Sequence, residues 1–154
     1  MTRTPLAGLA GAALFAAAAA LILARRFFGA FGSMTLVVPM SLWVVALVCA
    51  FLARVVRTRR EEGNVGLDRS QLNPMMAANL MVLGKSCAWA GAVCGGAYAG
   101  ALAYVLPRLH TVVAAGEDFP ALCLGVVGGA ALAVAGVALE RACEVPPPTE
   151  GEAA

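Results

Sequence analysis

The stretch Lys85-Ser86-Cys87-Ala88-Trp89-Ala90-Gly91-Ala92-Val93-Cys94-Gly95-Gly96-Ala97-Tyr98-Ala99-Gly100-Ala101-Leu102-Ala103-Tyr104 decides the fold. The 21 residues from Ser86 to Leu106 carry no charge, and a helix of that length crosses a hydrocarbon layer of roughly 30 Å. Fourteen of these 21 residues are Gly, Ala, Ser or Cys. Because small side chains let helix backbones approach closely in a membrane, we predict a spanning helix against which other helices pack.

The composition of the whole chain agrees with a membrane protein. Of its 154 residues, 61% are apolar and only 13% are charged, and the mean hydropathy is +0.84. A soluble domain of this size carries more charge. The net charge of +2 gives no reason to expect a nucleic acid partner. The lipid bilayer is therefore the expected surrounding.

The cysteines and the histidine do not suggest a metal site. None of the cysteines forms a CxxC pair, and four of the five lie in apolar runs, where a buried small side chain is the favoured interpretation. A zinc site needs clustered thiols and imidazoles, and His110 is the single histidine. We predict neither a metal nor a cofactor. The cysteines are Cys49, Cys87, Cys94, Cys123 and Cys143.

The apolar runs predict an all-α fold, an integral membrane four-helix bundle. The first run, Leu6 to Ala24, is longer than the apolar core of a signal peptide, usually about 7 to 15 residues. Because the cleavage site after it is also weak, we favour a retained helix over a cleaved leader. The prediction is one membrane domain, 1–143, with spans at about 6–24, 36–53, 86–106 (inside a longer helix, 74–106) and 119–139, then a disordered, acidic, proline-rich tail, 144–154.

The third helix is predicted to be longer than the bilayer requires. Asn73 is a good N-cap and Pro74 a good first helical residue. From Pro74 to Leu106 the helix is roughly 50 Å long at 1.5 Å per residue. Its first part, 74–84, is therefore expected in the headgroup zone or the cytoplasm.

The basic residues predict the orientation. Short cytoplasmic loops carry an excess of Lys and Arg. With the N-terminus inside, the inner side holds seven arginines and the outer side three. We therefore predict a multi-pass protein of the inner (plasma) membrane with both termini in the cytoplasm. The inner arginines are Arg3, Arg54, Arg57, Arg59, Arg60, Arg69 and Arg141, and the outer ones are Arg25, Arg26 and Arg108.

The sequence gives little support for catalysis. No connection is long enough to form a catalytic domain, and the four spans contain no Asp, Glu or His at mid-depth. Proton relays and coupled carriers usually place such groups there. Ser41, Ser86 and Tyr98 have no base predicted beside them. We predict no catalytic residue and no enzymatic activity.

Two charges at the membrane edge suggest an ion pair. Lys85 lies 21 residues before Leu106, and Glu140 lies 21 residues after Phe119. An antiparallel hairpin of the third and fourth helices therefore puts both at the same depth, where pairing reduces the cost of each charge. We predict a Lys85–Glu140 pair. The alternative is that Lys85 extends alone into the headgroups.

The helical periodicity predicts which faces of the third and fourth helices pack. At about 100° per residue, the third helix has two faces of small residues, and we assign the one nearer Lys85 to the fourth helix. The other is assigned to the first helix or to another subunit. The Ala92 face is Ala92, Gly96, Ala99 and Ala103; the Ala90 face is Ala90, Cys94, Ala97 and Ala101; and the facing residues of the fourth helix are Gly125, Gly129 and Gly136.

The second half of the chain resembles a known family. Gly84-Lys85-Ser86 enters the small-residue helix, Gly95-Gly96-Ala97-Tyr98-Ala99-Gly100 follows, and Leu139-Glu140-Arg141-Ala142-Cys143-Glu144-Val145-Pro146 ends the pattern. These motifs resemble the actinobacterial membrane proteins of domain of unknown function family 3180. In that family a basic residue often follows the cysteine, where this chain has Glu144. The resemblance implies a small four-span inner-membrane protein whose relatives are often encoded near folate-pathway genes; it implies no activity.

Three functional hypotheses follow. The favoured one is association through helices, either with another copy of the chain or with a membrane protein partner. The alternative is an oligomeric small-molecule carrier or carrier subunit, for which Tyr98, Ser86 or Ser41 should line a cavity. The third, a membrane thiol–disulfide protein, requires two cysteines close together, and Cys87 and Cys94 on one helix are too far apart.

Overall fold

The computed structural model describes residues 4–27, 36–61, 74–108 and 113–143. Each of its four helices is long and apolar enough to cross a membrane, and the described ranges contain no strand. The predicted all-α fold is therefore confirmed. The helices are α1 (Leu6–Phe27), α2 (Val37–Glu61), α3 (Pro74–Val105, followed by a 3₁₀ turn at Leu106–Arg108) and α4 (Val113–Cys143).

The helix α4 begins earlier than the sequence suggested. The fourth span was predicted at about 119–139, but α4 starts at Val113 and contains Pro120. Proline has no backbone N–H, so the carbonyl of Gly116 loses its usual partner in the helix. Gly116 and Pro120 are both exposed, which lets the unpaired carbonyl be solvated. The proline is tolerated because it lies near the exposed start of α4.

The four helices pack in the order α1, α3, α4, α2. Extensive contacts join α3 to α4, α4 to α2 and α1 to α3, while α2 barely touches α3 and α1 does not pack against α2 or α4. In α1 and α3, Ala13 lies beside Gly96 and Ala17 beside Gly100, so these helices run in parallel. The structure is thus an open row in which α1 and α2 occupy the two edges.

The two central helices, α3 and α4, are antiparallel and meet backbone to backbone. A Cβ added to Gly91 would lie 2.5 Å from the nitrogen of Ala133, and one added to Gly129 would lie 2.5 Å from the nitrogen of Gly95. Such approaches are possible only without a side chain. Small residues bring membrane helices together for packing and for weak interhelical contacts, so these glycines fix the centre of the row.

The edge helix α2 packs against α4 along most of its length. Ala46 and Cys49 share a buried cluster with Leu132 and Ala135 of α4. Nearer the end of both helices, Val56 packs with Cys143 in a second cluster. The exposed side of α2 carries large apolar residues such as Leu47 and Phe51, each 67% exposed. Large apolar side chains on this outer side suit contact with lipid.

The face assignment on α3 was wrong by one residue. The Ala92 face contacts α1, because Ala92 is buried with Leu9 and a Cβ on Gly96 would lie 2.9 Å from the Cα of Ala13. The face that meets α4 is turned by about 100° from it. That face is Gly84, Ala88, Gly91 and Gly95. Small residues surround α3 on nearly every side, so size alone did not separate the two neighbours.

The predicted packing residues of α4 all face α3. An added Cβ on Gly136 would lie 2.9 Å from the Cα of Ala88, Gly129 meets Gly95, and Gly125 lies against the ring of Tyr98. From the Ala90 face, Ala101 packs beside Val105 and Leu122 at the junction of α3 and α4. That face was assigned to the first helix or another subunit, and this assignment stays a prediction. Of the remaining residues of the Ala92 face, Ala99 is half-buried and Ala103 is exposed. In the Ala90 face, Ala90 is exposed, whereas Cys94 and Ala97 are half-buried.

Candidate functional site

The most unusual side chain in the described part of the protein is a buried carboxylate. Glu140, near the end of α4, is 2% exposed. Its carboxylate oxygen Oε1 accepts a hydrogen bond from the backbone N–H of Thr4 at 2.9 Å, and its Oε2 accepts one from the Thr4 hydroxyl. Thr4 is itself buried. A buried charge is costly unless it is hydrogen-bonded, and here both oxygens are.

The partner residue lies just before α1. The carbonyl of Pro5 accepts the N–H of Leu9 at 3.2 Å, which begins the helical pattern of α1. Thr4 precedes that bond by one residue, so the Glu140 carboxylate sits near the N-terminus of α1. Unpaired N–H groups and the helix dipole make such an end favourable for a negative charge. The carboxylate thereby ties the start of α1 to α4, two helices whose described backbones do not otherwise approach each other closely.

Lys85 lies at the same level as Glu140. A Cβ on the preceding residue, Gly84, would lie 2.8 Å from the backbone nitrogen of Glu140. The antiparallel register predicted from the sequence is therefore present. Lys85 is half-buried, and its side chain or backbone interacts with another group of the protein. The Lys85–Glu140 ion pair remains a prediction, and the hydrogen bonds described for the carboxylate come from Thr4.

Thr4 was not singled out in the sequence. It lies outside the predicted spans and has no charge, and the contact joins residues 136 positions apart. The available signal was Thr4-Pro5, a hydroxyl residue at a helix start, together with a glutamate at a depth where a carboxylate needs donors. The depth of Glu140 was predicted; its donor was not.

The side chains proposed to line a carrier cavity are not brought together. Ser41 is exposed on α2, where its hydroxyl donates to the carbonyl of Val38 at 2.7 Å. Ser86 is exposed on α3. The ring of Tyr98 packs against Gly125, with Cδ1 2.5 Å from an added Cβ. These three groups face different surroundings and do not form one polar site.

Two cysteines from different helices do meet. Cys49 on α2 is buried, and Cys87 on α3 packs against the cluster that contains it. Both are free thiols. Neighbouring thiols are what the thiol–disulfide hypothesis required, although Cys49 is 1% exposed. The sequence did not suggest this pair because the two residues lie on separate helices.

The opposite end of α3 is closed by a local contact. Arg108 donates from Nη1 to the carbonyl of Tyr104 at 3.1 Å, and its guanidinium lies 4.0 Å from the centre of the Tyr104 ring. A basic side chain that bonds the last carbonyls of a helix acts as a C-terminal cap. Arg108 and Tyr104 therefore stabilise the C-terminal end of α3. His110 and the predicted tail, 144–154, lie outside the described residues.

A tryptophan anchors α2 to α4, and its loss gives a first prediction. Trp43 donates from Nε1 to the carbonyl of Leu124 at 3.2 Å and lies over Gly128. Trp43→Phe should lower the free energy of unfolding by about 0.5 to 1.5 kcal/mol, because it removes one hydrogen bond and little apolar area. Unfolding in mixed micelles with increasing SDS measures this. The adjacent, exposed Val44 supplies the control, Val44→Ala; equal stability of the two variants would contradict the assignment.

The fold and the buried contact define the class of the protein: a four-span, multi-pass α-helical membrane protein held together by glycine-mediated helix contacts. The family model described as "Protein of unknown function (DUF3180)" matches residues 9–147. The chain therefore belongs to this family, as its motifs indicated. Comparison with curated proteins and with solved structures found no match.

Proposed function

We propose that the protein acts by association within the membrane, through α1 and with a second copy of the chain. The main observation that supports this proposal is the position of α1 at the edge of the row. Among the described residues, its backbone approaches only that of α3, and none of them lies against the opposite side of α1. At Gly11 an added Cβ would meet nothing within 4 Å. The residues of this outer surface are Ala7, Ala10, Gly11, Leu14 and Ala18, all exposed.

The spacing of these residues supports a helix as the partner. Ala7 and Gly11 are four residues apart, the small-xxx-small pattern of closely packed membrane helices. Against lipid, such residues offer little contact area. The inner side of α1 uses the same spacing, with Ala13 and Ala17 against Gly96 and Gly100. A self-complementary surface of this kind suits a two-fold pair of identical chains.

The test is a substitution that fills the outer surface without touching the row. Gly11→Leu should reduce the dimer fraction in mild detergent at least about tenfold, since a close helix contact worth about 1.4 kcal/mol or more is lost. The protein should stay folded because no atom lies within 4 Å of the new Cβ. Light scattering coupled to gel filtration, and crosslinking in membranes, measure the dimer.

The control is Ala130→Leu, at an exposed position on α4 away from α1. It should leave the dimer unchanged. A parent protein that is a monomer and binds no other membrane protein in mild detergent would contradict association altogether. A monomer that co-purifies with a different membrane protein, lost in Gly11→Leu, would replace the second copy by that partner.

The alternative, an oligomeric carrier or carrier subunit, finds less support. Its proposed polar residues point to different surroundings, and the glycine contacts of α3 and α4 leave their interface closely packed. The thiol–disulfide hypothesis has the neighbouring Cys49 and Cys87 in its favour. The connection to folate-pathway genes rests on the family resemblance alone and adds no substrate.

We also propose a non-enzymatic role and a place in the inner (plasma) membrane with both termini in the cytoplasm. The excess of arginines on one side supports this orientation. The alternating directions of the four helices agree with it, because α1 and α3 run one way and α2 and α4 the other. Fusing a reporter enzyme active on only one side to either terminus tests the orientation.

A further inference from the structure

We infer that Glu140 is a proton-binding site that controls whether the start of α1 is docked on α4. The inference is independent of the proposed dimer, because it concerns a contact within one chain. It begins from the burial of the carboxylate, which is 2% exposed. Ionisable groups enclosed at a membrane edge are rare, and they commonly carry a function.

The docking geometry requires the charged form of Glu140. Each carboxylate oxygen accepts one hydrogen bond from Thr4, one from the N–H and one from the hydroxyl. A protonated carboxyl has an O–H that donates, so one of its two oxygens is no longer a good acceptor. At least one bond to Thr4 is then weakened, and the oxygen beside the start of α1 loses its negative charge.

Few other contacts hold this end of α1. The helix packs along α3, and Gly8 lies over the ring of Trp89, 3.5 Å from an added Cβ to Cη2. Leu9 then enters the cluster with Ala88 and Ala92. Val137 of α4 packs against this cluster as well, but the described backbones of α1 and α4 do not approach each other closely. Losing those bonds should therefore release the first turn of α1 while leaving the α3–α4 contact in place.

Other charged groups lie at this end and set the background for the titration. On α3, Lys85 lies at the level of Glu140. On α4 itself, Arg141 is exposed and the thiol of Cys143 is buried. On α2, Arg54 and Arg57 are both exposed. Within the described residues, Thr4 and the first turn of α1 contribute no titratable side chain. The Glu140→Gln variant therefore tests whether acidification acts through this carboxylate.

The experiment uses Trp89 as a reporter of docking. In the full chain with Trp43→Phe, Trp89 is the single tryptophan. Lowering the pH from about 7.5 to about 4 should raise the acrylamide quenching constant of Trp89 about twofold as the covering first turn opens locally. Glu140→Gln should show the raised value already at neutral pH and lose the pH response.

Four further variants separate this inference from a general acid effect. Glu117→Gln removes an exposed carboxylate at the other end of the same helix and should leave the titration unchanged. Thr4→Val deletes the hydroxyl donor and should raise quenching at neutral pH, while Thr4→Ser restores it. With Trp89→Phe instead, the remaining Trp43 should show no matching transition.

The outcomes are decisive even if one variant fails to fold. Retained helical circular dichroism identifies the folded variants. If Glu140→Gln does not fold, the parent titration and the Thr4 variants still decide the question. A parent whose Trp89 quenching does not change on acidification, or a response that persists in Glu140→Gln or disappears in Glu117→Gln, would overturn the inference.

Discussion

Replacing Gly129 by alanine is expected to lower the free energy of unfolding by about 2 to 3 kcal/mol, the upper part of the range for an overpacked core. The new methyl group would lie 2.5 Å from the nitrogen of Gly95 and 3.0 Å from the carbonyl oxygen of Gly91. Both are backbone atoms of α3 and cannot rotate aside. The two central helices must therefore move apart along their whole contact, which also weakens the neighbouring approach of Gly91 to Ala133.

The matched control for Gly129→Ala is the same substitution elsewhere on α4. An added Cβ on Gly116 meets nothing within 4 Å, so Gly116→Ala should be neutral or stabilise by up to about 1 kcal/mol through its better helix propensity. Unfolding with increasing SDS in mixed micelles, followed by circular dichroism, compares the two. Equal midpoints would show that α3 and α4 are not in backbone contact in the protein.

The sequence predicted the number of helices and the register of the central pair. Four uncharged runs of sufficient length are a strong signal, and equal spacing from the bilayer edges placed Lys85 and Glu140 at one level. The start of α3 at Pro74 was also correct. These features depend on local composition and on the thickness of the bilayer, and both can be read from a single chain.

The rotation of α3 could not be read in the same way. A hydrophobic stripe fixes rotation when the opposite face is polar, but α3 is apolar all round and rich in small residues. The heptad spacing of Gly84, Ala88, Gly91 and Gly95 was the better signal, since it continues over about three turns toward one neighbour. The Thr4–Glu140 contact was hidden for a different reason: it depends on how the start of α1 meets a helix distant in sequence.

Replacing Gly96 by leucine is the substitution expected to detach α1 from the row. An added Cβ on Gly96 would lie 2.9 Å from the Cα of Ala13, and leucine adds three more carbons in the same direction. The cost to α1 docking should exceed about 3 kcal/mol, because backbone opposes backbone. Since α1 packs against α3 alone among the helices, the helix should separate and remain helical in the membrane, where its backbone bonds are internal.

Two single-tryptophan backgrounds locate the effect of Gly96→Leu. With Trp43→Phe, the acrylamide quenching of Trp89 should rise, because Gly8 no longer covers its ring. With Trp89→Phe, the emission of Trp43 should stay unchanged, since its bond to Leu124 joins α2 to α4. Gly11→Leu, on the outer side of α1, should alter neither signal. If Gly96→Leu changed Trp43 as much as Trp89, the row would unfold as one unit, and α1 would not be the separable edge on which the proposed association depends.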